Sequence, residues 1–188
     1  MLTASEYKRL KRLVDKKPSR DAVRMTEHYY ALYDPDRPAH LNRGMSAETL
    51  ELSFRFTGWD LFKALSSLRL EVVEFDPSLQ LDGGTLDGYT NGRKIGVNFN
   101  AREPDLTLLH EIAHCVDWNY RSRRRNDPLD EFVADGTACV VLDRLGVKTP
   151  LYWNAVHVRL SALFQPQPTR SEYVRISMAA EAIVNAGT

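Results

Sequence analysis

The sequence predicts an α+β fold in which amphipathic helices surround a small antiparallel sheet. Helical hydrophobic periodicity recurs in both halves of the 188-residue chain. Between these helices, the segment from Arg69 to Phe75 alternates and is rich in Val and Phe, which is typical of a strand. Residues 88–98, Gly-Tyr-Thr-Asn-Gly-Arg-Lys-Ile-Gly-Val-Asn, are typical of a hairpin. With 43% hydrophobic residues, a chain of this length can bury one substantial core.

The N-terminal third is predicted to be mainly helical. Thr3 and Glu6 form the capping-box pattern that opens a helix, which we expect to extend to about Lys17. Further helices are predicted over residues 21–33, 46–54 and 58–69. We therefore expect residues 1–69 to form a helical region that packs on a core made by residues 70–188, within one compact domain.

Two helices are predicted in the middle of the C-terminal half. The first covers about residues 104–120. The second covers residues 128–145, because Asp127 suits an N-cap, Pro128 suits the first turn and Gly146 suits the position after the last turn. Two more helices are expected towards the C-terminus: one from Pro150, and one from a Thr169–Glu172 capping box to about Ala186.

Composition and charge limit the location and partners of the protein. The 25 basic and 25 acidic residues give zero net charge, which argues against bulk nucleic-acid binding. Basic residues nevertheless concentrate at 8–24 and 121–125, stretches that are usually solvated but can bind an acidic or nucleic-acid partner. No apolar run approaches the roughly 18 residues of a membrane span, and the first residues lack a hydrophobic signal segment. We expect a cytoplasmic protein with no membrane partner, in which Cys115 and Cys139 are buried free thiols.

Residues 110–114, His-Glu-Ile-Ala-His, are the most informative part of the chain. On a helix, positions four apart differ by about 40° in azimuth and about 6 Å along the axis, so His110 and His114 can reach one metal ion. Glu111 between them can reach a water bound to that ion. This is the H-E-x-x-H arrangement of zinc peptidases, in which the glutamate is a general base and not a ligand.

A third ligand is needed, because catalytic zinc usually takes three protein ligands and keeps one position for water. The H-E-x-x-H-x-x-G-x-x-H pattern is excluded, since Asp117 and Tyr120 occupy its Gly and third His positions. His157, the last histidine of the chain, stays open as a distant ligand. Glu131 is the best candidate, one turn into the next helix. Asp135 lies on the same face one turn later and can accept the spare ring N–H of a ligand histidine.

These motifs resemble those of zincin metallopeptidases of the gluzincin type, whose third ligand is a glutamate on the following helix. Residues 131–138, Glu-x-x-Ala-Asp-x-x-Ala, are similar to the E-x-x-A-N-x-x-A stretch of ImmA/IrrE-like peptidases. They are also similar to the segment that follows H-E-L-A-H in ArdC-like antirestriction proteins. The resemblance covers about residues 83–146, and Asp135 stands where those families have Asn or Glu. It implies a zincin-like fold and an edge strand at 93–99 that can hold an extended peptide.

The resemblance also implies the activity, a zinc-dependent hydrolysis of peptide bonds in a protein or peptide substrate. Zn²⁺ would be held by His110, His114 and Glu131, and Glu111 would take a proton from the bound water and return it to the leaving amine. A further donor should stabilise the oxyanion. The candidates are Tyr89, Tyr120, Tyr152 and His157. His157 is favoured, because gluzincins often place a helper histidine or tyrosine beyond the third ligand.

Two other functions are compatible with the same residues. One is a zincin-like protein that binds DNA or another protein with little catalysis, with the basic residues 8–24 and 121–125 as its surface. The other is a structural zinc domain. The structural reading is weaker, because Glu111 has no role in a closed site with four protein ligands.

Overall fold

The computed structural model describes residues 1–15, 58–76, 80–81, 84–85, 87–98, 104–117, 128–147 and 168–188. Within these ranges the chain forms five α-helices and five short β-strands, which confirms the predicted α+β class. The helices predicted over 21–33, over 46–54 and from Pro150 lie outside the described residues. None of the described helices is long and apolar enough to cross a membrane.

The elements are numbered in chain order. The helices are α1 (Ala4–Asp15), α2 (Leu61–Leu68), α3 (Pro104–Val116), α4 (Pro128–Arg144) and α5 (Arg170–Gly187). The strands are β1 (Glu71–Val73), β2 (Gln80–Leu81), β3 (Gly84–Thr85), β4 (Gly88–Thr90) and β5 (Lys94–Val97).

Three helix ends follow signals in the sequence. The Thr3 N–H donates to Glu6 Oε2 at 2.7 Å and the Glu6 N–H donates to Thr3 Oγ1 at 3.2 Å, which is the capping box expected at the start of α1. Thr169 and Glu172 form the second capping box at the start of α5. At the end of α4, Gly146 adopts a φ of 78°, and the backbone hydrogen bonds around it form a Schellman motif. These three predicted ends are confirmed.

Helix α2 and strand β1 are shorter than the sequence indicates. Asp60 accepts a hydrogen bond from the Lys63 N–H at 2.8 Å, so it caps a helix that begins at Leu61 and not at residue 58. Arg69 closes the same helix in the left-handed conformation, with a φ of 56°. The strand predicted from Arg69 to Phe75 is therefore confined to β1, because Arg69 belongs to the helix end.

The sheet differs from the predicted antiparallel one. Strands β4 and β5 form the expected antiparallel hairpin, but β1 pairs with β5 in parallel. The three-stranded order is β1-β5-β4, and β2 pairs with β3 in a separate ladder. Because β5 is central, the edge position predicted for residues 93–99 is wrong. Among the described strands of this sheet, β4 is the edge next to α3.

Helix α4 forms the centre of the core, between α3 and α5. Its residues 132–142 are buried all round, as expected for a helix enclosed by other elements. The side chains of α4 that are at most 1% exposed are Phe132, Val133, Ala134, Thr137, Ala138, Cys139, Val140, Val141 and Leu142. Gly136 permits the close approach of α5, since a Cβ there would lie 2.7 Å from Ile176 Cδ1. This enclosure fixes the rotation of α4, which directs Glu131 and Asp135 towards α3.

Helix α1 docks on the C-terminal end of α4 through ion pairs. Arg144 Nε donates to Glu6 Oε1 at 2.8 Å, and Arg9 Nη1 donates to Asp143 Oδ2 at 2.8 Å. Leu10 of α1 is fully buried beside these pairs in the main core. The N-terminal helix is thus attached to the end of α4 that lies farthest from Glu131.

Candidate metal centre

Helix α3 presents both motif histidines on one face. Leu108, Leu109 and Ile112 fill the core and leave His110 and His114 one turn apart, with side chains 12% and 6% exposed. Their two Nε2 atoms lie 3.0 Å from each other. The apolar lead-in therefore orients the two imidazoles towards a common point.

Helix α4 adds a carboxylate at that point. Glu131 Oε2 lies 3.2 Å from His110 Nε2, and Glu131 Oε1 lies 3.4 Å from His114 Nε2. Ligands about 2.0–2.1 Å from a tetrahedral zinc ion stand about 3.3–3.4 Å from one another. The three separations of 3.0, 3.2 and 3.4 Å are close to that value. The spacing and the nitrogen and oxygen donors fit a single divalent cation such as zinc.

Asp135 lies behind the first histidine. Its Oδ1 is 2.9 Å from His110 Nδ1, and its side chain is only 3% exposed. A carboxylate accepts here, so the imidazole carries a proton on Nδ1 and directs Nε2 to the shared point. Glu131 and Asp135 are four residues apart on α4, and this spacing lets one contact Nε2 while the other contacts Nδ1.

The charges of the group attract a cation. Burial by itself would lower the pKa of His110, but its hydrogen bonds to Asp135 and Glu131 raise that pKa to about 10. Burial would raise the pKa of Glu131, but hydrogen bonds from His110 and His114 hold it well below its usual range. A positive charge at the shared point is therefore stabilised, whether a proton or a metal ion carries it.

Glu111 is buried next to the sheet. Burial raises the pKa of its carboxyl group, against the lowering effect of His110 and His114. Strand β4 passes directly over it at Gly88, where a Cβ would lie 3.1 Å from Glu111 Cγ and 2.6 Å from Thr107 Cγ2. Glycine at this position therefore allows the strand to approach the carboxylate. The motif did not indicate the importance of Gly88, although a glycine at the start of a strand often marks close backbone approach.

The side chains of β4 alternate between two faces of the sheet. Thr90, like Gly88, faces α3, and its Oγ1 lies 2.9 Å from Cys115 Sγ. Tyr89 faces the other way and donates its hydroxyl to the Glu74 carbonyl at 3.3 Å. Tyr89, one of the candidate oxyanion donors, therefore points away from the two histidines. Cys115 is a buried free thiol, as is Cys139.

His157, Tyr120 and Tyr152 lie outside the described residues, and so do the arginine-rich stretch 121–125 and the basic residues 16–24. Asp127, the expected N-cap of α4, is outside them as well. Within the described ranges, the three candidate ligands lie close to Asp135 and to Glu111, the glutamate between the two histidines.

A buried ion cluster next to the centre was not predicted from the sequence. Arg175 of α5 donates from Nε to Asp117 Oδ1 at 3.1 Å and from Nη2 to Asp130 Oδ1 at 2.5 Å. Its Nη2 also donates to Asp117 Oδ2. The sequence feature that could have indicated this cluster is Arg175 itself, which lies one turn before the buried Ala179 and thus on the apolar face of α5.

Comparison with known proteins adds no relative. No family model matches the chain, and neither a curated protein nor a solved structure matches it. The likeness to zincins therefore depends on the residues of the two helices and on their geometry. Within the described residues, the group that could hold a metal ion consists of three side chains, His110, His114 and Glu131, whose candidate ligand atoms all lie within 4.8 Å of one another.

Proposed function

We propose that this protein is a zinc-dependent metallopeptidase with a zincin-like fold, in which His110, His114 and Glu131 hold the ion and Glu111 is the general base. The observation that carries the proposal is the spacing of the three ligands, which are 3.0–3.4 Å apart on two different helices. Such spacing brings two imidazole nitrogens and a carboxylate together at one point, where a shared positive charge is stabilising and a divalent cation can supply it. The group has three protein ligands among the described residues, which suits a catalytic site better than a closed structural one.

The chemistry divides between the ion and the protein. When bound, zinc lowers the pKa of a coordinated water towards about 7 and polarises a substrate carbonyl. Glu111 accepts a proton on its carboxylate and passes it to the leaving amine. That proton would come from the water that the zinc ion coordinates. Asp135 keeps the Nδ1 proton of His110 in place and so fixes the tautomer that offers Nε2.

The substrate would be an extended peptide. Strand β4 is the sheet edge beside Glu111 among the described strands, with its Gly88 directly over the carboxylate. An extended chain that adds to this edge by main-chain hydrogen bonds would bring a peptide carbonyl to the metal centre. In this role β4 replaces the edge that the sequence predicted at residues 93–99.

The decisive test of the activity is Glu111→Gln. This change keeps the size of the side chain and leaves all three ligands, so zinc content should be unchanged. The rate of peptide cleavage should fall by about 10²–10⁴-fold, the usual contribution of a general base. The assay compares the cleavage of a proteome-derived peptide library by mass spectrometry. Glu71→Gln is the matched control, because Glu71 is an exposed residue on β1 that pairs with Lys94 at 3.9 Å.

Two results would overturn the proposal. A Glu111→Gln protein that cleaves peptides at the unchanged rate would show that Glu111 is not the base. A protein that cleaves peptides equally well after complete removal of zinc by a chelator would show that the metal has no part in the reaction.

A further inference from the structure

We propose that Arg175 is a positioning residue of the metal centre, which holds Glu131 of α4 in register with the two histidines of α3. This inference depends on the proposed function, because Glu131 needs an accurate position only if it is a metal ligand. Arg175 does not belong to the ligand group, and it acts through the two acidic residues that it contacts.

The ligands come from separate helices, so their relative position must be fixed by contacts between those helices. Asp117 follows His114 by three residues, at the C-terminal end of α3. Asp130 immediately precedes Glu131, in the first turn of α4. A group that binds both acids therefore ties the end of one ligand helix to the beginning of the other, next to the ligands themselves.

Arg175 makes this connection with a single rigid group. Its Nε donates to Asp117 Oδ1 at 3.1 Å, and its Nη2 donates both to Asp117 Oδ2 and to Asp130 Oδ1, the latter at 2.5 Å. The guanidinium is planar, so two parallel bonds to one carboxylate fix the direction of the third. The Arg175, Asp117 and Asp130 side chains are 6%, 7% and 2% exposed, so solvent screens these bonds very little.

Neighbouring side chains of α5 help to hold this arginine in position. Glu172 closes the capping box of α5, and its Oε1 also lies 3.9 Å from Arg175 Nη1. The ring of Tyr173 packs edge-to-face on Phe132, the residue after Glu131, with ring centroids 5.7 Å apart. Glu172 thus supports Arg175 from within α5, and the contact of Tyr173 with Phe132 joins α5 to the first turns of α4.

A plain buried ion pair would stabilise the protein without any special effect on the metal, and a matched pair of variants separates the two roles. Arg175→Lys keeps the charge but loses the planar fork. Arg144→Lys makes the same change at the other end of α4, where Arg144 binds Glu6 by two hydrogen bonds of 2.8 and 3.1 Å. Both variants should lose some thermal stability, but only Arg175→Lys should disturb the metal centre.

The readout is zinc affinity, measured by competition with a chromophoric chelator, together with the visible spectrum of the Co²⁺-substituted protein. Zinc affinity of Arg175→Lys should be about 10–100-fold weaker, as for other residues that orient metal ligands. Its Co²⁺ spectrum should lose the intense bands of tetrahedral coordination. Arg144→Lys should keep both the affinity and the spectrum. If Arg175→Lys does not fold by circular dichroism, Asp117→Asn provides the same test with a smaller change.

The outcomes separate this inference from the proposed function. Equal zinc affinity in Arg175→Lys and the unchanged protein would overturn the positioning role alone. Equal losses in Arg175→Lys and Arg144→Lys would also overturn it, since the effect would then be one of general stability. If the unchanged protein bound no zinc, the proposed function would fail first and this inference with it.

Discussion

Asp135 offers a sharp test of how the proposed metal centre is tuned, because it contacts His110, a proposed ligand, and does not belong to the ligand group itself. Its Oδ1 accepts from His110 Nδ1 at 2.9 Å in a site where the side chain is 3% exposed. Asp135→Asn keeps the shape and an oxygen acceptor but removes the negative charge. We expect the variant to fold and to bind zinc less tightly.

The size of the loss follows from the hydrogen bond. Bonds to charged groups contribute about 1.5–3 kcal/mol and neutral ones about 0.5–1.5 kcal/mol. The midpoints of these ranges differ by about 1.3 kcal/mol, which corresponds to a nearly tenfold weaker zinc affinity. Asp135→Ala leaves the buried Nδ1–H without this acceptor, so its loss should be nearer to a hundredfold.

The loss of zinc affinity in Asp135→Asn should also depend on pH. Asp135 also raises the pKa of His110, and it therefore helps the proton that competes with zinc for Nε2. The affinity of the unchanged protein should rise with pH more steeply than that of Asp135→Asn. The tenfold loss should thus be complete only above about pH 10, the pKa of His110, and smaller at lower pH.

The assay is chelator competition at several pH values, with Asp143→Asn as the control. Asp143 lies on the same helix but pairs with Arg9 at the surface, 2.8 Å away. Equal zinc affinities for Asp135→Asn and Asp143→Asn at alkaline pH would refute the reasoning. So would a pH profile of Asp135→Asn that is as steep as that of the unchanged protein.

Three further predictions follow from the structure. Gly88→Ala should lower the rate of peptide cleavage and spare zinc content, because the added Cβ would lie 3.1 Å from Glu111 Cγ; an unchanged rate would contradict this. The raised pKa of His110 contributes stability that is complete below its unfolded-state pKa and is lost as pH rises through its folded-state pKa, so the free energy of unfolding of the metal-free protein in urea titrations should fall from about pH 6.5 to about pH 10. A free energy of unfolding that does not change with pH would contradict this. Glu6→Gln should cost about 1 kcal/mol of unfolding free energy through its pair with Arg144, with zinc affinity unchanged.

Local signals account for the part of the fold that the sequence predicts. The capping boxes at Thr3 and Thr169 and the end of α4 at Gly146 depend on residues within one or two turns. The contact of Asp135 with His110 was expected for the same reason, because a spacing of four residues places Glu131 and Asp135 on one helix face.

Distant pairings account for what the sequence does not predict. Strand β5 is central because β1 joins it in parallel, a contact between segments that the hairpin pattern does not link. The orientation of Tyr89 follows from the resulting faces of the sheet. Arg175 meets Asp117 and Asp130 over 58 and 45 residues of sequence, and neither acid belongs to a local motif with the arginine.

The most direct test of the account is X-ray absorption at the zinc edge on the purified protein, together with its metal content. The account predicts about one zinc ion per chain, with two imidazole nitrogens and carboxylate or water oxygens at about 2.0–2.1 Å. His114→Asn should abolish this signal. A protein without zinc, or a zinc ion with a sulfur ligand at about 2.3 Å such as Cys115 would provide, would contradict the account.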